Sequence, residues 1–229
     1  MKIRPHKKPK QQHSLTPLND FEVARLLSYV RKQANVARLK GTMRPIVDEL
    51  IFELLCSAGL RPKEMCELNI SDTPVSHNRS IITVRSKNKH RSREIVIPQE
   101  TDEVIRHFVT IVRTHSEQND PLLVSERANR FGYASIYNKI RRVGEQVGLP
   151  GITPNILRKT YMARLFMQKQ DLKFVQQQAG HAHSKTTALC VKRASVFCDA
   201  CQREISDNQA ELIDSGQVLC LKCLKDFRS

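Results

Sequence analysis

Apolar residues recur at three- and four-residue spacing in blocks separated by turn-forming residues. Val23, Leu26, Leu27 and Val30 share one helical face behind Asn19 and Asp20, either of which can cap a helix start. The more continuously apolar block from Ile46 to Ala58 predicts a buried helix, stopped by Gly59. Ser80–Arg85 and Arg93–Ile97 are rich in β-branched residues and flank the basic turn Ser86–Ser92, which predicts a hairpin. Val104, Ile105, Phe108, Ile111 and Val112 give an amphipathic helix over Thr101–Thr114. After Pro121 and the apolar piece Leu122–Val124 comes a basic helix around Ser135–Val147. Pro154 suits the first turn of a helix running to about Gln168, and short helices follow near Asp171–Gln178 and Lys185–Lys192. The expected fold class is mostly α with a small antiparallel β-sheet.

Length and charge narrow the picture. The 229 residues allow one sizeable domain and a small appendage. A hydrophobic share of 40% is enough for a packed core. Lys and Arg number 38 against 23 Asp and Glu, a net charge of +15, which points to a polyanionic partner, most commonly nucleic acid. The competing reading is a protein that is merely soluble and basic. The best membrane candidate, Pro45 to Leu60, carries Asp48, Glu49 and Glu53. The basic start runs into Gln11-Gln12-His13 rather than the apolar stretch of a signal peptide, so the expected location is cytoplasmic. Residues 1–14, with Lys2, Arg4, Lys7, Lys8 and Lys10, read as a basic flexible arm that seeks phosphate. Residues 15–195 form the main domain.

Residues 196–229 differ. Six acids face four bases, so this segment is −2 and the rest of the chain +17. It contains Cys198-x-x-Cys201 and Cys220-x-x-Cys223, separated by 18 residues. Two such pairs, each presenting two thiolates from one tight turn, can complete a tetrahedral structural Zn²⁺ site. So short a segment buries too little apolar surface to fold alone, and metal binding would supply the difference. Glu204–Ile205 and Gln217–Leu219, broken by Asp214-Ser215-Gly216, are expected to pair as a small hairpin. Negative charge on the segment and on its thiolates would repel phosphate, so the expectation is a packing or protein-contact module. A pair of redox CxxC motifs is the alternative, but the accompanying βαβ pattern is missing.

Three segments concentrate positive charge at turns: Gly59-Leu60-Arg61-Pro62-Lys63-Glu64, Arg85 to Arg93, and Thr153-Pro154-Asn155-Ile156-Leu157-Arg158-Lys159-Thr160. Singly, each is more often a solvated face or a salt-bridged surface than a site. In this order, from Leu15 to Val191, they resemble the catalytic domain of the tyrosine recombinases, the phage-integrase family. Ala58 to Glu64 resembles the family's TGLR-x-x-E box, and the turn with Lys87 its GKGxK lysine turn. Thr153 to Thr160 resembles TPHxLRHT, and Ala179-Gly180-His181-Ala182-His183-Ser184 resembles LGHxS. The 23-residue separation of Arg158 and His181 fits the same pattern.

The resemblance implies a chemistry in which a tyrosine phenol attacks a DNA phosphodiester and leaves a 3′-phosphotyrosine. Arg61 and Arg158 would clamp the phosphate oxygens with forked hydrogen bonds. Lys87 would be the general acid for the leaving 5′-oxygen, and His181 would hydrogen-bond the phosphate. Lys89, Arg91 and Lys159 would add contacts to double-stranded DNA. Two positions depart from the family. Asn155 replaces the first box histidine and cannot shuttle a proton. The nucleophile's position, nine residues after His181, is Cys190. Its sulfur would fall roughly 3–4 Å short of a phenol oxygen. Tyr29, Tyr133, Tyr137 and Tyr161 all precede His181, and Tyr161 matches an ordinary core aromatic.

The expectation is therefore a DNA-binding protein associated with DNA integration and recombination, of bacterial or phage origin, with impaired strand cleavage. Only the basic arm precedes the catalytic-like segment, so binding from one face of the duplex is expected, with steep salt dependence. Two alternatives remain open: an active recombinase using Cys190 or a tyrosine supplied in trans, and a zinc-dependent interaction scaffold that does not bind DNA.

Overall fold

The computed structural model describes residues 17–77, 79–86, 92–125, 127–191, 196–197, 200–201, 203–205, 210–212 and 218–228. The predicted arm, and the predicted site residues Lys87, Lys89, Arg91 and Cys198, lie outside the described residues.

Helix α1 (Asp20–Lys40) starts at Asn19, whose side chain accepts from the Glu22 amide while the Glu22 carboxylate accepts from the Asn19 amide, both at 2.9 Å. This reciprocal cap satisfies two otherwise orphaned donors. The helix ends at Gly41, in the left-handed conformation. Its buried stripe of Val23, Leu26, Val30, Ala34 and Ala37 lies on α2 (Arg44–Ser57), which is buried without a break from Ile46 to Cys56. That stretch includes the three acids that argued against a membrane span. Asp48 pairs with Lys139 and Arg142, Glu49 with Arg38, and Glu53 with Arg31. A buried carboxylate is tolerated only when paired, so each of these joins α2 to a neighbouring helix. Among the described residues no helix is long and apolar enough to cross a membrane.

After α2 come the one-and-a-half turns of α3 (Pro62–Glu67), which no periodicity announced, and a 3₁₀ turn at Ile70–Asp72. Strands β1 (Ile81–Val84) and β2 (Arg93–Val96) form the predicted antiparallel hairpin, with Ile82 opposite Ile95 and Val84 opposite Arg93. Helices α4 (Gln99–Val112), α5 (Tyr133–Gln146), α6 (Pro154–Lys169), α7 (Leu172–Ala179) and α8 (Ser184–Cys190) follow. The body is thus mostly helical with one small antiparallel sheet. Its main core surrounds α2, and a smaller cluster of Tyr161, Met162, Val175, Ala179 and Cys190 joins α6, α7 and α8.

In the C-terminal segment β3 (Val196–Phe197) pairs with β4 (Glu204–Ile205), β5 (Ala210–Leu212) pairs with β6 (Val218–Cys220), and α9 (Leu221–Arg228) follows. This corrects the expected pairing of Glu204–Ile205 with Gln217–Leu219. The shorter connection back to Val196–Phe197 closes at lower entropic cost, and β6 finds its partner in β5.

Candidate active site

The site is assembled at the C-terminal end of α7. A helix leaves its last carbonyls without partners inside the helix, and here three consecutive carbonyls each meet an arginine. Arg93 Nε donates to Gln178 O at 2.9 Å, Arg158 Nη2 donates to Ala179 O, and Arg61 Nη2 donates to Gly180 O at 3.0 Å. These arginines come from β2, from α6 and from the residue that starts α3. Sequence positions 61, 93, 158 and 178–180 are thereby brought to one point.

Local structure explains each placement. Gly59, at φ +58°, turns the chain out of α2, and a Cβ built there would lie 2.1 Å from Tyr161 Cδ1, so the turn closes directly on the tyrosine ring. The Gly59 carbonyl takes the other guanidinium arm of Arg158, through Nη1. Arg158 is only 5% exposed, with both terminal nitrogens on backbone carbonyls. Burial and the neighbouring Arg61 lower its pKa to about 10, which leaves it charged at neutral pH. Gly180, at φ +63°, ends α7, and a Cβ there would sit 2.8 Å from Arg93 Nη1. Only a glycine lets the guanidinium lie so close.

Glu64 is the counter-charge. It caps α3 by accepting from the Arg61 amide at 2.8 Å and holds Arg61 Nη1 at 2.6 Å. Arg93 meets the same carboxylate with both terminal nitrogens, at 2.9 and 3.0 Å. Burial alone would raise the Glu64 carboxyl, but the Arg93 hydrogen bonds and charge, then Arg61, hold it down to about 2. The Arg61 side chain is 42% exposed, against 11% for Arg93. Arg61 is therefore the arginine of the trio that faces outward.

His181 follows the same turn. Its Nδ1 is 3.0 Å from the Thr187 hydroxyl, and its carbonyl accepts from the Gln176 side chain. Burial, then Arg158, Arg61 and Arg93, push its pKa down to about 4, so the imidazole is neutral at neutral pH. Three guanidiniums, one carboxylate and a neutral imidazole leave the site net positive, as an anion site requires.

Of the residues named from sequence, the structure gathers Arg61, Arg158 and His181. Asn155 is exposed in the first turn of α6, one turn before Arg158, and Lys159 is half-buried. Cys190 is 9% exposed and packs in the α6–α7–α8 cluster. Burial raises its thiol pKa despite Lys159 and Arg158 nearby, which keeps it protonated at neutral pH. Sequence reasoning assigned no role to Arg93 or Glu64. Arg93 was visible only as the last charge of a basic run, and Glu64 as the last letter of a motif. A separate groove of 1030 Å³ lies at the other end of α2, lined by residues such as Tyr29, Met43, Phe131 and Lys139, and includes none of the arginine-site residues.

The other candidate is the cysteine cluster. The sulfurs of Cys201, Cys220 and Cys223 all lie within 4.8 Å of one another. Cys201 Sγ and Cys220 Sγ are 3.9 Å apart, and the Cys223 amide donates to Cys220 Sγ at 3.5 Å. Ligands about 2.3 Å from a tetrahedral zinc have sulfurs about 3.8 Å apart. The three described thiols are of the right type for three ligands of such an ion, and the Cys201–Cys220 separation matches its spacing.

Known proteins place these observations in context. The pattern of the phage integrase family matches residues 17–193. The tyrosine recombinase XerA of Thermococcus kodakarensis is 30% identical over 176 residues, covering 75% of this chain and 60% of that one. The tyrosine recombinase XerC of Thermodesulfovibrio yellowstonii is 30% identical over 149 residues, covering 62% of this chain and 48% of its own. This chain thus spans only about half to three-fifths of the length of these relatives. A crystal structure of XerA recombinase has the same fold, with TM-score 0.67 at 28% identity over 83% of this chain and 62% of that chain. With the arginine boxes converging on one helix end inside a helical body of this topology, the chain belongs to the phage integrase family.

Proposed function

We propose that this chain binds double-stranded DNA by gripping a backbone phosphate at the α7 terminus, in the service of DNA integration and site-specific recombination, with strand cleavage impaired. The observation that carries this reading is the convergence of Arg61, Arg93 and Arg158 on three consecutive carbonyls beside His181. Arg61 is the exposed jaw. Its bond to Gly180 O can be exchanged for a phosphate oxygen, a stronger, charge-assisted acceptor. Arg158, buried and held at both ends, fixes the wall behind it. The XerH recombinase bound to difH substrate and the Tn1549 integrase with transposon right-end DNA share this fold, which supports a duplex partner. Lys87, Lys89, Arg91 and Lys159 extend the grip along the backbone.

The impairment follows from the group that would attack. Cys190 stands where the family resemblance puts the phenol, is buried among apolar side chains and keeps its proton. A thiol in that state is a poor nucleophile. Asn155 can donate an amide hydrogen to phosphate but transfers no proton. In the same reading Cys198, Cys201, Cys220 and Cys223 hold a structural Zn²⁺ that orders residues 196–229 as an acidic protein-contact module.

Two measurements test the proposal. Duplex affinity across a salt series should fall about tenfold in Arg61→Ala, with the log–log salt slope shallower by about 1. Equal affinity in wild type and variant at moderate salt would sink the phosphate site. Arg158→Ala is less informative, because it also unpairs two buried carbonyls. A nicked suicide duplex should yield no covalent adduct, and an adduct mapped to this chain would overturn the impairment.

A further inference from the structure

We infer that Gln178 is a positioning residue for the arginine site, locking α7 onto the outer edge of β2 so that Arg93, Glu64 and Arg61 stay in register. Strand β2 pairs on one side with β1. Its other edge presents the Glu94 carbonyl and the Val96 amide, the groups a third strand would engage. The Gln178 carboxamide takes that place. Its Oε1 accepts from Val96 N at 3.0 Å, and its Nε2 donates to Glu94 O at 3.3 Å. A carboxamide carries one acceptor and one donor group in a single plane, as a peptide unit does, and so can continue a ladder. The Gln178 main chain adds a third link, accepting from Arg93 Nε at 2.9 Å.

These bonds belong to a closed ring. From α7 it passes through β2 to Arg93, from Arg93 to Glu64, and from Glu64 to the amide and guanidinium of Arg61. It returns to α7 at Gly180 O. Gln178 is buried, so neither of its side-chain bonds is replaced by water without local opening. If the carboxamide is removed, two of the three links between β2 and α7 are lost, the Arg93 Nε bond to the Gln178 carbonyl alone holds the register, and the bidentate grip that orients Glu64 slackens. A displacement of that kind at an outward-facing arginine lowers its fit to phosphate, although Gln178 never touches the ligand.

This inference rests on the phosphate site proposed above, and the test separates the two. Gln178→Met keeps length and bulk and removes both side-chain hydrogen bonds. It should bind duplex about five- to tenfold more weakly than wild type. The decisive readout is non-additivity: Gln178→Met placed in the Arg61→Ala background should cause no further loss. A purely structural residue would weaken both backgrounds equally, and that result, or wild-type affinity in Gln178→Met, overturns the inference. If the Met variant does not fold, Gln178→Glu keeps the acceptor for Val96 and is subjected to the same comparison. If Arg61→Ala itself binds as wild type, the phosphate site falls. Gln178 is then judged by the arginine Nε–H resonances of Arg61 and Arg93, which Gln178→Met should shift and which, unmoved, reject its positioning role.

Discussion

Arg93 and Glu64 meet side-on, Nη1 to Oε1 at 2.9 Å and Nη2 to Oε2 at 3.0 Å, so one half-buried carboxylate, which also holds Arg61, sets the angle of two of the three arginines. The folded-state pKa of Glu64 is about 2 against an ordinary 4.5, so the folded protein holds this carboxylate ionised where the unfolded chain protonates it. Stability from the group is complete above 4.5 and is lost as pH falls through 2, a contribution of up to about 3 kcal/mol. Thermal melts of Glu64→Gln and wild type should therefore differ most above pH 5 and converge toward pH 2. A difference that does not change with pH would show that the carboxylate charge is not what holds the site.

His181 gives the opposite dependence for binding. Its free-protein pKa, about 4, lies below the ordinary 6.5, so the folded chain resists its protonation and loses stability as pH falls through 4. A phosphate at the arginines adds negative charge next to the ring and raises that pKa in the complex. Binding then takes up a proton, and duplex affinity rises as pH falls from 7 toward 5. His181→Gln should flatten this part of the pH profile. Equal slopes in wild type and variant would place the phosphate away from the imidazole.

The helices were legible because their burial is periodic. Val23, Leu26 and Val30 repeat as a helical stripe, and the turns at Gly41, Gly59 and Gly180 adopt the positive φ that glycine permits. The arginine boxes were legible as a motif order. What periodicity does not encode is pairing across the chain. Nothing local ties Arg93 to Glu64, or Gln178 to Val96, because those contacts exist only once α3 and α7 lie against the hairpin. Helix α3 is too short to show a period, and the burial of Cys190 depends on α6 and α7 closing over α8.

Tyr161 carries a hidden polar group. The residue is buried, and its hydroxyl oxygen has no hydrogen-bond partner among the described residues. Burial pushes its pKa up to about 12, so it is neither a base nor a nucleophile near neutrality. Removing an unpaired hydroxyl relieves a desolvation cost of about 1–3 kcal/mol. Tyr161→Phe should therefore melt at the same temperature as wild type or higher, with unchanged duplex affinity. Gly59→Ala, which forces a methyl into the same ring, should destabilise by more than about 2 kcal/mol. A drop in stability for Tyr161→Phe would mean that the hydroxyl is engaged after all.

The cysteine cluster allows the proposed metal and the proposed DNA binding to be tested apart. Cys201, Cys220 and Cys223 meet at a small core that, among the described residues, consists of Leu219, Cys220 and Leu224, little apolar surface with which to hold this segment without further support. The purified full chain should contain one zinc per molecule. With thiolates as the proposed ligands, zinc should be released by chelator or as pH falls, with loss of α9 amide protection while the amides of residues 17–191 stay protected. Cys220→Ser should reproduce the chelated state. Duplex affinity should change little in either case, since the segment carries −2 and contributes no net positive charge to phosphate. A chain that binds no zinc, or an α9 equally protected with and without chelator, would remove the metal from the account, and a large fall in duplex affinity on chelation would make the module part of the DNA interface.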